Sequence, residues 1–113
     1  MRFPVFSRND LDYDIIINVA NWPNPRLSAW KTLLPARAIE NQAYVVGVNR
    51  VGVDPKGNNY EGFSSAYNYR GEKLIDLGCG ENIKTVTFSN SKLVNERKKY
   101  PFLKNMDSFI LAN

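Results

Sequence analysis

The sequence predicts an α/β domain on three observations: a β-branched run at 14–20, an apolar-striped helix over 26–42, and a valine-rich run at 43–48 that follows the helix at once. A helix that hands directly into a strand ending in polar side chains places chemistry at a strand end. Within 14–20, Ile15, Ile16, Ile17 and Val19 run nearly unbroken, the composition of a strand covered on both faces. Asn21-Trp22-Pro23-Asn24-Pro25 stops it, because two prolines so close cannot extend a ladder. In the helix, Leu27, Trp30 and Leu34 form one stripe, Leu33 and Ile39 extend it, and Ala29, Ala36 and Ala38 allow close packing. Arg37 and Glu40 stand three apart on one face, spaced for an ion pair, with Asn41 placed to close the helix end. Pro35 lies inside the helix. There it removes a backbone donor, at a cost of roughly 3 kcal/mol unless the helix kinks or breaks.

Tyr44, Val45, Val46 and Val48 make the strand at 43–48, and Asn49-Arg50 stand at its end. Asp54-Pro55-Lys56-Gly57 is a turn in which proline presets φ and glycine tolerates the left-handed region. Segments 61–69 and 73–77 read as a hairpin around Arg70-Gly71. Segment 82–89 alternates Ile83, Thr85 and Thr87 with Lys84, Val86 and Phe88 and predicts another strand. Ser89-Asn90-Ser91 supplies caps for a short helix over 92–99, and Pro101 ends it.

The totals narrow the chemistry. At 113 residues the chain is one small domain at most, with an apolar content of 43% that suits a globular protein. No stretch approaches the ~20 consecutive apolar residues of a membrane span. The start carries no secretory pattern, so a cytoplasmic protein is expected. Histidine is absent, which removes Ser-His-Asp and Cys-His nucleophile pairs, His-bearing zinc sites and imidazole acid–base work. One cysteine leaves no internal disulfide. That residue, Cys79, lies in Gly78-Cys79-Gly80, where flanking amides could serve an oxyanion but where a turn between two strands is the simpler reading. The net charge of +4 invites a nucleic-acid reading. The basic residues are scattered, however, and the densest patch, Lys92 to Lys104 with Arg97-Lys98-Lys99 in a row, is interrupted by Glu96 and suits a solvated helix face.

The run WKTLLPARAIENQAYVVGVNRVG at 30–52 resembles a signature of the nitrilase superfamily, the carbon–nitrogen hydrolases, in its omega-amidase-like branch. Arg2-Phe3-Pro4 is similar to the segment which that family carries just after its nucleophilic cysteine. Ala20-Asn21-Trp22-Pro23 is similar to a pocket-edge segment, and the tail from Tyr100 through Phe109 to the family's ending. The resemblance implies that residues 1–113 are the C-terminal part of a four-layer α-β-β-α sandwich. It also implies a Glu-Lys-Cys arrangement lying wholly N-terminal to this chain, so no catalytic residue is expected here and the chain alone is expected to be inactive. Arg2, Asn21 and Trp22 are the implied wall of the pocket for a small amide. Arg2 is placed either to hold a substrate carboxylate or to pair with a buried carboxylate. Two residues depart from the family pattern, Pro35 and Phe63, the latter standing where a polar or acidic residue is common and putting the hydrogen bonding of Ser64 in question.

No cofactor and no metal are implied. The expected partners are a separately encoded N-terminal half and further copies of the chain, because half a sandwich leaves apolar sheet surface uncovered. The face of the helix matching 30–42 is a second surface for such copies. Nucleic acid and membrane are not expected partners. The alternatives are a degenerate, non-enzymatic α/β remnant and a basic binding module on the same scaffold.

Overall fold

The isoleucine run forms β1 (Ile15–Ala20) and the valine run β2 (Tyr44–Asn49), with α1 (Leu27–Asn41) between them after a 3-10 turn at Asn24–Arg26. The computed structural model describes residues 1–10 and 13–112. The two strands lie parallel, Ile15 opposite Tyr44 and Ala20 opposite Asn49. A parallel pair needs a long crossover, and α1 supplies it. The apolar stripe faces the sheet as the spacing predicts: Trp30, Leu34 and Ala38 are buried against Val45 and Tyr67, with Ile16, Ala20, Trp22 and Leu27 packed around them. The helix runs through Pro35 without a break and ends at Gln42, whose φ of 42° is the left-handed cap conformation.

Two further strands complete the main sheet. Antiparallel β5 (Ser65–Tyr67) pairs with β2, and β6 (Lys73–Asp76) pairs with β5, giving the order β1-β2-β5-β6. The β5–β6 connection is the hairpin expected around Arg70-Gly71; Gly71 takes φ 76° and its N–H donates to the Asn68 carbonyl. The expected turn at 54–57 links a small second sheet of β3 (Val51–Val53) and β4 (Asn59–Glu61). α2 (Asn90–Lys99) begins at the Ser89 side chain, which accepts from the Lys92 N–H. Arg97, Lys98 and Lys99 fall in its last turn, where positive charge favours the helix dipole. Arg97 ties α2 to the rest, donating to the carbonyls of Gln42 and Tyr13 at 2.9 Å and to the Asp14 carboxylate at 2.6 Å.

Two expectations are corrected. Among the described residues, segment 82–89 belongs to no sheet: its alternation is a strand pattern without a strand that bonds to it. β1 is covered on one face, not on both, since its burial alternates strictly. Ile17 is 66% exposed and Val19 80%, and Val48 beside Val19 on β2 is 43% exposed. Tyr44 at the start of the same row is buried, closed over by Phe88 and Tyr69 with ring centroids 4.7 and 5.5 Å away. Further along, segment 82–89 skirts a groove of about 360 Å³ lined by Val46, Ala66 and Ile75.

The outcome is a slab of 45 × 39 × 18 Å, thick enough for one helix layer on one sheet. Its radius of gyration of 15.4 Å exceeds the ~13 Å of a compact domain of about this length. Among the described residues, no helix is long and apolar enough to cross a membrane.

Gly47 marks the tightest helix–sheet approach. A Cβ there would lie 2.5 Å from Leu34 Cδ1 and 2.7 Å from Trp30 Cζ2. Replacing a strand glycine by alanine ordinarily stabilises by restricting the unfolded chain. Here Gly47→Ala is expected to destabilise by about 1–3 kcal/mol, read from the urea midpoint, because Leu34 and Trp30 must leave their rotamers. A midpoint equal to or above that of the parent would show the contact to be slack.

Candidate functional site

The carboxyl ends of β1 and β2 open on the same side, the usual place for a ligand on an α/β sheet. Three segments meet there: 21–24 after β1, the end of β2 at 49–50, and 62–64 before β5. Asn49 joins them. It is 6% exposed, and its Oδ1 accepts the Trp22 N–H at 2.7 Å while its Nδ2 donates to the carbonyls of Trp22 and Gly62, both at 2.9 Å. Its backbone N–H donates to Ser64 Oγ at 2.9 Å, and that hydroxyl returns a bond to the Asn49 carbonyl at 3.3 Å. Ser64 thus keeps its local hydrogen bonds beside Phe63, contrary to the expectation that the departure would disturb them. Asn24 adds a further tie, accepting the Glu61 N–H at 2.9 Å.

Phe63 takes φ 56°, a strained setting for a bulky residue. Its neighbours hold it: Trp30 Nε1 donates to its carbonyl at 2.9 Å, its N–H donates to Gly78, and Lys31 Nζ lies 3.5 Å from its ring centroid. The Trp22 indole leans on Trp30 at 5.7 Å between centroids, and the Arg2 guanidinium lies 5.7 Å from the Trp22 ring.

The three residues expected at the pocket are thus placed unequally. Arg2 and Trp22 are brought together. Asn21 is exposed and lines a depression of about 280 Å³ with Val19, Val48, Asn49 and Arg50. Arg50 spreads over the Tyr60 ring at 4.6 Å, and the Tyr60 hydroxyl donates to Asp54 Oδ2 at 3.0 Å. That bond raises the Tyr60 pKa above its usual value. The Asp54 carboxylate is lowered to about 2, chiefly by hydrogen bonds from Asn58, and also accepts the Lys56 N–H. The loop that carries Tyr60 against Arg50 is therefore organised by one ionised carboxylate.

Asn49 is the residue that sequence reasoning missed as a site organiser. Its signal was an amide closing a run of strand formers, where asparagine is disfavoured. Arg37 and Glu40 form the expected ion pair at 2.9 Å. Cys79 lies exposed in a connection where Gly62 bridges to it, with Gly78 and Gly80 both at positive φ, and it does not line the depression. The strand-end site as it stands offers binding groups: an indole, amides and guanidinium groups.

Comparison with known proteins specifies the class of this helix-on-sheet fold. The carbon-nitrogen hydrolase family matches residues 1–95, and the chain belongs to that family. Within it, the chain falls in the omega-amidase-like branch of the nitrilase superfamily. It is 46% identical over 112 residues to the omega-amidase YafV of Escherichia coli K12, covering 98% of this chain and 44% of the relative. It is 34% identical over 103 residues to the 2-oxoglutaramate amidase of Bacillus subtilis, covering 89% of this chain and 39% of the relative. The crystal structure of XC1258 from Xanthomonas campestris, a CN-hydrolase superfamily protein with an arsenic adduct in its active site, superposes with a TM-score of 0.93 at 43% identity. That match covers 98% of this chain and 45% of the Xanthomonas chain. The fold is the α-β-β-α type of that superfamily, and the chain spans less than half the length of the curated relatives it matches.

Asn49→Ala strands the Trp22 N–H and the carbonyls of Trp22 and Gly62. It is expected to cost about 2–4 kcal/mol in a denaturant titration, with hydrogen exchange rising first at 20–24 and 60–64. A loss below ~1 kcal/mol would deny Asn49 that organising part. The Asp54 contribution has a definite sign. Because the folded pKa is depressed, the loop is stabilised above the ordinary value of 3.8 and loses that stabilisation as pH falls through about 2. The Lys56 and Asn58 amide resonances should titrate with a midpoint near the lower value; a midpoint at the ordinary one would remove the claim.

Proposed function

We propose that this chain forms the scaffold and pocket wall of an omega-amidase-type hydrolase acting on small amides, and that residues outside it carry the chemistry. The resemblance implies the reaction: a cysteine attacks the amide carbonyl, a glutamate moves protons and a lysine stabilises the tetrahedral oxyanion. Ammonia then leaves, and water releases the acid. In this reading residues 1–113 are a partial domain, with Arg2, Asn21 and Trp22 on the pocket wall and Arg50 at its rim.

The observation that carries the proposal is the bare sheet face. Ile17, Val19 and Val48 stand in a row on a slab 18 Å thick. A second sheet packs about 10 Å from a first in such a sandwich, and the relatives carry more than half their length beyond what this chain matches. On this reading the occupant of the face is the nucleophile-bearing segment that the resemblance implies ahead of Arg-Phe-Pro. Without it the chain covers the face with further copies of itself.

The test uses the chain alone and the chain with the upstream segment of the Escherichia coli relative fused in frame ahead of Met1. The chain alone is expected to release no ammonia from 2-oxoglutaramate above background and to show concentration-dependent association by light scattering. The joined protein is expected to be active and to lose activity when its supplied cysteine is replaced by alanine. A folded joined protein that hydrolyses no short monoamide, or an active isolated chain, would reject the proposal.

A further inference from the structure

Arg37 is 3% exposed, yet the one carboxylate it meets among the described residues, Glu40, is 39% exposed in its side chain. The rest of its polar company is backbone. Nε donates to the Met1 carbonyl at 2.9 Å and Nη2 to the Arg2 carbonyl at 3.1 Å, while Nη1 takes Glu40 at 2.9 Å. One edge of the guanidinium thus grips two successive carbonyls. Asn41, one turn further along the same helix face, is 2% exposed and makes a second grip. Its Oδ1 accepts the Asn9 N–H and its carbonyl accepts Asn9 Nδ2, both at 2.9 Å. Asn41 Nδ2 in turn donates to the Arg37 carbonyl, which locks the two grips together.

We infer that Arg37 is a positioning residue for the nucleophile: it fixes the Met1–Arg2 peptide and so the direction in which the chain ahead of it leaves the scaffold. This rests on the functional reading above, in which the reacting cysteine stands shortly before Arg-Phe-Pro. Apolar contact alone would hold the segment down, and Met1 already packs against the core. A buried cation aimed at two adjacent carbonyls does something different, because a planar fork dictates the orientation of the peptide as well as its place. A lysine at the same position keeps the charge and loses the fork. The second grip at Asn9 sets the other end of the segment, so the 3-10 turn Pro4–Ser7 hangs between two points on one helix.

The first arm of the test measures hydrogen exchange in the 113-residue chain. Arg37→Lys should raise exchange at residues 3–8 by about tenfold while β2 keeps its protection. The second arm measures turnover of the joined protein per titratable nucleophile thiol, which discounts unfolded molecules. There Arg37→Lys should lower kcat on the order of 10- to 100-fold with KM within about twofold, as a misplaced reacting group does. Glu40→Gln, which leaves the carbonyl grip intact, should hold kcat within about threefold. Unchanged exchange at 3–8, equal loss of protection in β2, or a variant whose KM rises at constant kcat would each overturn the inference. A joined parent protein without amidase activity would overturn the functional reading instead, and the exchange arm would still decide whether the grip exists.

Discussion

A helix can cover a sheet on one face only, and α1 is already committed. Trp30 and Leu34 occupy the space that the missing side chain of Gly47 leaves, so helix and β2 are in contact at side-chain-to-backbone range. Everything else in the chain is arranged around that pairing. The β5–β6 hairpin extends the sheet sideways, and Arg97 of α2 ties the α1–β2 corner to the start of β1. Neither addition reaches over Ile17 and Val19. One face of the slab is dry, while on the other Ile17, Val19 and Val48 stand exposed.

The same geometry sets where binding groups stand. Parallel strands joined by a helix present their carboxyl ends on one side, and the residues just past them are free of ladder duty. Trp22 lies there, and Asn49, the last residue of β2, spends its side-chain amide on backbone of two neighbouring segments. A buried amide with every bond committed is rigid, since breaking any one bond leaves a donor or acceptor without water. The pocket edge therefore inherits the precision of the sheet although it is built of loops. Asn21, by contrast, is exposed and lines the depression beside Asn49 and Arg50.

What the sequence made legible was local. The apolar stripe of α1, the Ser89 cap, the Arg70-Gly71 hairpin and the Arg37–Glu40 pair all depend on residues a few positions apart, and all are present. What it could not show depended on neighbours far along the chain. Segment 82–89 alternates as well as any strand here, but a ladder belongs to two segments, and none of the others lies alongside it. The short pair β3–β4 escaped notice for the converse reason: three residues a side carry too little pattern, and the Asp54 turn holds them together. The reading of β1 as covered on both faces took a continuous apolar run as proof of a cover. The run alone does not supply a cover, and here Ile15, Ile17 and Val19 are exposed on one face. Family resemblance named Arg2, Asn21 and Trp22 as pocket residues, and the structure brings Arg2 and Trp22 together; the office of Asn49 was visible only once the three segments it joins were seen together.

Helix α1 consequently answers to two demands at once. Trp30 and Leu34 fix its rotation against the sheet, and Arg37 with Asn41 grip the N-terminal segment from the same helix. Residues three, four and seven apart share a side of a helix, so the position of that segment is referred to the sheet through a single rigid body. The Trp22 loop is referred to the same body through its indole on Trp30. Pocket edge and gripped segment thus keep their spacing under any motion that leaves α1 whole. Pro35 is the weak point in that argument by composition, since it removes one bond of the helix ladder midway between the sheet contacts and the grip. The helix nevertheless continues unbroken past it, with Leu34 and Ala38 fully buried on either side. Packing on the sheet holds the helical register where the backbone ladder is one bond short.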